Sequence, residues 1–132
     1  MKKASIMIGI TVVCVGVAFY LVQPKDIVES PDLLDIYRVA SYSKSEGTEI
    51  TESVDLNKLA DILSRYQCGR IPKSFAPYML SEIRYEINGT YNNKSLHILV
   101  GDLNIVYESS EWGFEIKNSS KLLSEIDSFI NP

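Results

Sequence analysis

The sequence predicts an α+β domain carried behind an N-terminal transmembrane helix. Three observations predict it. Residues 4–22 (ASIMIGITVVCVGVAFYLV) hold no charged side chain and follow the basic pair Lys2-Lys3. Two later segments repeat apolar residues at the three-to-four spacing of an amphipathic helix, and several others alternate apolar and polar residues at period two. Read in order, these patterns give ββ-α-ββββ-α, an antiparallel sheet with both helices packed on one face. The chain divides into an anchor or uncleaved signal (1–23), a short polar tether (24–30) and an extracytoplasmic α+β domain (31–132).

At about 1.5 Å rise per residue, a helix over 4–22 spans roughly 28 Å, close to the hydrocarbon thickness of a bilayer. Tyr20 sits near its far end, where an aromatic ring suits the headgroup level. Lys2 and Lys3 precede the run, whereas Asp26, Glu29, Asp32 and Asp35 follow it after Lys25. The positive-inside bias therefore predicts a cytoplasmic N-terminus and a C-terminal domain outside. Two other readings send the domain across the membrane as well. Gly16-Val17-Ala18 offers a small-x-small cleavage site for a signal peptide, although Phe19-Tyr20-Leu21-Val22 prolongs the apolar run beyond it. Cys14 lies where a lipidated cysteine could be, but Thr11-Val12-Val13 lacks the residues that usually precede one.

Ser30-Pro31 predicts a helical turn over 31–35, with Ser30 as N-cap and Pro31 at the first helical position. Residues 36–43 (IYRVASYS) read as a strand that places Tyr37 and Tyr42 on opposite faces. A turn over 44–47, with Gly47 as its positive-φ residue, leads to a short strand over 48–53. The first domain helix covers 55–66: Leu56, Leu59, Ala60, Leu63 and Tyr66 form one face, Ser53 or Asp55 caps it, and Gly69 ends it. A loop over 67–77 follows, punctuated by Gly69, Pro72 and Pro77.

The second half is rich in strands. Over 80–87, Ile83, Tyr85 and Ile87 alternate with Glu82, Arg84 and Glu86, the pattern of a half-buried antiparallel strand. Residues 88–93 (NGTYNN) read as a polar turn. Leu96, Ile98 and Val100 share the inner face of the next strand, and Gly101-Asp102 makes a two-residue hairpin turn. Leu103, Ile105 and Tyr107 are expected to face inward, 108–111 to turn, and 112–116 to form the last strand. Ser119 or Ser120 then caps a closing helix through Ile130, with Leu122, Leu123, Ile126, Phe129 and Ile130 as its apolar face.

Charge narrows the partners. Removing Lys2, Lys3 and Lys25 leaves 10 basic against 17 acidic side chains, a net −7 over 26–132. Such a domain is a poor fit to nucleic acid or anionic headgroups and a better fit to a basic partner. Cys68 is the one cysteine beyond the anchor, so no internal disulfide forms there and a half-buried free thiol is expected.

Catalytic patterns are thin. The single histidine, His97, lies between inward-facing Leu96 and Ile98 and should point away from the core. No GxSxG elbow, HExxH, CxxC, EF-hand or phosphate loop occurs, so no metal or cofactor is expected. Glu82/Glu86 and Glu108/Glu111/Glu115 could supply a carboxylate pair for hydrolysis, but they also fit the solvent side of a sheet. Three Asn-x-Ser/Thr triplets, at Asn88, Asn93 and Asn118, read as turn residues. The eight tyrosines are more suggestive, because Tyr and Trp join a large contact area to a polar tip. Tyr78, Tyr91 and Trp112, in or beside turns, are the candidate partner-binding residues.

Met1-Lys2-Lys3, the helix VDLNKLADILSRY, the strand SEIRYEI and the terminal KLLSEIDSFI together resemble, in their order, small membrane-anchored or lipoprotein-like surface proteins of Gram-positive bacteria. In these an apolar export segment precedes a domain of unassigned activity. The resemblance covers the whole chain as a layout, departs from the lipoprotein members in lacking a lipobox, and carries over no catalytic residue. The expected function is a membrane-anchored binding domain, with an envelope protein as partner and no catalysis of its own. An inhibitor or immunity-type protein directed at a basic toxin or enzyme is the alternative, followed by a carboxylate-pair hydrolase.

Overall fold

Helix α1 (Lys2–Val22) opens the computed structural model, which describes residues 2–44, 46–74, 83–101, 105–107 and 112–132. None of its residues is buried, and it is long and apolar enough to cross a membrane. Two residues later the chain enters strand β1 (Lys25–Asp26), antiparallel to β4 (Gln67–Cys68). Ile27 and Val28 follow β1 into the core, and the Ile27 amide donates to the Tyr66 carbonyl at 3.1 Å. The polar segment expected as a tether is therefore paired and packed, because two apolar residues in it are worth burying.

The main sheet uses β2 (Leu34–Ser43), β3 (Glu46–Glu49), β5 (Lys73–Ser74), β6 (Ile83–Tyr91), β7 (Lys94–Gly101), β8 (Ile105–Tyr107) and β9 (Trp112–Glu115). Its order is β3-β2-β6-β7-β8-β9-β5, and every neighbouring pair is antiparallel. Helices α2 (Leu56–Ser64) and α3 (Ser119–Ile130) pack on one face, as the amphipathic patterns require. Leu59, Leu63, Leu122 and Ile126 from the helices meet Val39, Ile98 and Val100 from the strands in one core. The α+β architecture read from the sequence is thus the observed one.

Two buried tyrosines fasten the helices. The Tyr66 hydroxyl donates to Glu125, which also pairs with Arg65, and the Tyr85 hydroxyl donates to Asp127. Burial, reinforced by those carboxylate acceptors, pushes both phenols up to about 12. The proton held by Tyr66, helped by Arg65, in turn lowers the Glu125 carboxyl despite an opposing contribution from burial.

Several local expectations are corrected by where the chain places its left-handed residues. These are Lys44, Asn92, Asn93 and Asn118, and no described glycine has positive φ. Lys44 rather than Gly47 makes the first turn, and Gly47 lies within β3, so that strand begins earlier than 48 and gives way to a 3-10 turn at Thr51–Ser53. The turn expected over 31–35 is a 3-10 turn at Pro31–Leu33, with Pro31 at its first position. Asp55 does cap α2, accepting from the Lys58 amide, but Gly69 does not end it. The helix closes at Arg65, and the Gly69 amide donates to Glu115 across to the last strand. Asn118 precedes α3 in place of a serine cap, its carbonyl accepting from the Lys121 and Leu122 amides.

The β6–β7 hairpin is the largest departure. Only Asn92 and Asn93 turn, at φ 50 and 62, the two positive values of a type I′ turn. Asn88-Gly89-Thr90 continues the strand. Gly89 sits there because its backbone approaches β2 closely: a Cβ would lie 2.6 Å from the Asp35 carbonyl oxygen. Further along, Val106 is buried and pairs with Ile98, and the backbone register sets Ile105 opposite Leu99 and Tyr107 opposite His97. Cys68 is fully buried rather than half-buried, because its strand bridges to Ile116 beneath the helices. Leu103, Asp102 and the expected turn over 108–111 lie outside the described residues.

Candidate functional site: the Tyr91 cleft

Tyr91 ends β6, in register with Leu34 of β2 and Lys94 of β7. Its ring packs against the core edge, and its hydroxyl accepts from the backbone amides of Glu29 and Ser30 at 3.1 and 3.3 Å. One side chain thereby joins the β6–β7 turn to the segment that follows β1. Between them lies an open cleft of about 610 Å³, lined among others by Lys25, Asp26, Glu29, Leu33, Tyr91 and Lys94. That volume is within the range of about 300–1,000 Å³ common to binding clefts.

The cleft combines two lysines, two carboxylates and an apolar wall from buried Ile27 and Leu96. Lys25 stacks over the Phe114 ring at 4.1 Å, and Asp26 accepts from the Gln67 amide at 3.0 Å. Leu33, at the mouth, is 52% exposed. Mixed charge around an apolar strip suits a peptide segment better than a phosphorylated or strongly ionic ligand. Of the three residues read as partner-binding, Tyr91 lines this cleft. Tyr78 lies outside the described residues, and for Trp112 the description extends to its backbone in β9, opposite Ser74.

The sheet face away from the helices carries a second polar group that single-strand alternation did not reveal. Glu86 sits at its centre. Its carboxylate accepts from the Tyr42 hydroxyl at 2.5 Å and from Asn88 at 3.0 Å, and lies 3.1 Å from His97 Nε2 and 3.4 Å from Arg38. His97 does point away from the core, as expected, with its side chain 38% exposed. Burial raises the Glu86 carboxyl, but the hydrogen bonds from Tyr42 and Asn88 and the charges of His97 and Arg38 outweigh it, so it is lowered overall. The same carboxylate raises the Tyr42 phenol. A glycosidase acid requires the opposite shift. Glu86 ties three strands together, through Tyr42 and Arg38 of β2 and His97 of β7. Of the other carboxylates considered, Glu115 is exposed at the end of β9, and Glu82, Glu108 and Glu111 lie outside the described residues. Cross-strand register, available only once β2, β6 and β7 are aligned, is the signal that would have found this group.

Comparison with protein-family models, curated proteins and solved structures finds no match to the chain, so its geometry and chemistry carry the functional reading.

Proposed function

We propose that this chain is a single-pass membrane protein with its N-terminus in the cytoplasm, whose outer domain binds another envelope protein through the Tyr91 cleft and performs no catalysis of its own. The observation that carries this reading is the position of the cleft. It opens beside Lys25, two residues beyond Gln23, on the side of the domain joined to the apolar helix. A partner segment lying along the membrane surface would meet it directly. The uncharged run over 4–22, exposed along its whole length, supports retention in a bilayer. The basic pair before it and the acidic residues after it support the orientation.

Site-specific photo-crosslinking in intact cells tests the proposal, with the crosslinker at Asn92 or Lys94 on the rim of the cleft. A reproducible adduct with one protein is expected, lost when Tyr91→Ala opens the cleft. Adducts formed equally from Thr48, on the far edge strand, would refute the cleft as the site. The mass of the membrane-bound chain checks the anchor: 14.8 kDa if retained, less if cleaved. The inhibitor reading draws on the net charge and on the exposed Glu46 and Glu49 of edge strand β3. It predicts a complex with a basic protein that weakens steeply as salt is raised.

A further inference from the structure

Two contacts bring one edge of the sheet to the outer end of α1. The Arg70 guanidinium stacks on the Tyr20 ring at 4.3 Å and donates to the Tyr20 hydroxyl at 2.9 Å. Lys25, just past the helix, stacks on Phe114 of β9, the strand that pairs with edge strand β5. Between these contacts runs the connection Gly69-Arg70-Ile71-Pro72 into Lys73 of β5. Ile71, next to Arg70 in this connection, is 53% exposed. The chain carries no acidic residue from Arg65 to Ser81, although the domain as a whole is strongly acidic.

We infer that residues 70–72 form a second membrane contact, in which Ile71 enters the boundary between headgroups and acyl chains of an anionic bilayer while Arg70 meets lipid phosphates. The inference rests on α1 spanning the bilayer. Tyr20 then lies at headgroup depth, and the side chain bonded to it lies there too. An arginine at that depth suits phosphate oxygens, which its planar fork can engage in pairs. The acidity of the domain opposes this only locally, since charges more than about 8–10 Å away are largely screened at physiological salt. The expectation from composition, that anionic headgroups are poor partners, averages charge over the whole domain, whereas the proposal concerns this edge alone.

The test uses the full-length chain in vesicles of phosphatidylcholine mixed with phosphatidylglycerol. A polarity-sensitive fluorophore is placed at Ile71→Cys, in a Cys14→Ser background, and nitroxide-labelled lipid serves as quencher. The reference site is Thr48→Cys on β3, six strands across the sheet and roughly 29 Å away at ~4.8 Å per strand. Strong quenching at position 71 and little at position 48 is expected. Arg70→Gln should lower the docked-to-undocked ratio at position 71 about fivefold in the mixed vesicles, and less in phosphatidylcholine alone. Equal quenching at the two positions, in a chain that resists alkaline carbonate extraction, overturns the loop contact and leaves the anchor standing. Unchanged quenching in Arg70→Gln overturns the phosphate pairing. Extraction by carbonate overturns the anchor and the loop contact together.

Discussion

Gly89→Ala probes a close backbone approach between β6 and β2. Gly89 pairs with Ile36 where β2 carries a bulge between Ile36 and Arg38. A Cβ at position 89 would stand 2.6 Å from the Asp35 oxygen and 3.3 Å from both the Asp35 carbonyl carbon and the Ile36 Cα. All three atoms are backbone, so none can rotate away. Raising the shortest contact past 3.0 Å requires β2 and β6 to part over the pairs that run from Leu34↔Tyr91 to Ile36↔Gly89. Overpacking of this kind costs about 1–3 kcal/mol. Alanine stiffens the unfolded chain and returns about 0.4–1 kcal/mol. The net loss is about 1–2 kcal/mol, and at about 4–8 °C per kcal/mol for a domain near 100 residues the midpoint falls by roughly 5–15 °C. Gly47→Ala is the comparison, since its Cβ would meet only the Tyr42 ring, at 2.9 Å, and a ring can swing. Its stability should fall by no more than about 1 kcal/mol, a midpoint shift of at most about 4–8 °C. Near-ultraviolet circular dichroism during heating, with the chain in mild detergent, reads both. A Gly89→Ala midpoint equal to wild type, or above that of Gly47→Ala, would refute the close approach as the reason for glycine.

Ile126 is fully buried between α3 and the sheet, so Ile126→Ala should cost about 2–5 kcal/mol, read as a lower urea midpoint with unchanged slope. The lowered Glu86 carboxyl gives stability that is present above its ordinary value of 4.5 and lost as pH falls through the folded-state value. Glu86→Gln should therefore flatten the acid side of a plot of unfolding temperature against pH, and an unchanged acid side would show that the Tyr42–Glu86–His97 group does not hold the strands. Tyr66 behaves with the opposite sign. Its raised value makes its contribution complete below 10.0 and lost as pH climbs toward about 12, so Tyr66→Phe should remove one late phenolate step from the ultraviolet titration of the folded chain.

Helix faces and core strands were legible in the sequence because their periods are forced by burial. Leu59, Leu63, Leu122 and Ile126 fall on the core at helical spacing, and Ile83, Tyr85 and Ile87 at strand spacing. Turns were less legible, because Asn-Gly at 88–89 is a stronger hairpin signal than Asn-Asn at 92–93, yet the strand needs Gly89 for contact with β2. Register was harder still. That Val106 is buried opposite Ile98 depends on alignment with β7, which no single strand contains. The Tyr91 cleft was half legible. Its aromatic residue stood out beside a turn, but its other wall comes from Lys25–Glu29, a stretch too short and too polar to announce that it folds back. The Glu86 group needed three aligned strands and left no mark in any one of them.

Only Gln23 and Pro24 separate the apolar helix from the first paired residue of the domain. Two residues reach about 7 Å at full stretch, so a domain mounted this way has almost no swing. Under the proposed anchoring, a partner would have to come down to it, and any load it applied would pass straight into α1. The first element in the line of force is β1, held to β4 by the pairs Lys25↔Cys68 and Asp26↔Gln67. Tension would peel those two pairs before it disturbed the main sheet, and the next residues drawn out would be Ile27 and Val28. The joint between helix and domain is therefore also its mechanical fuse.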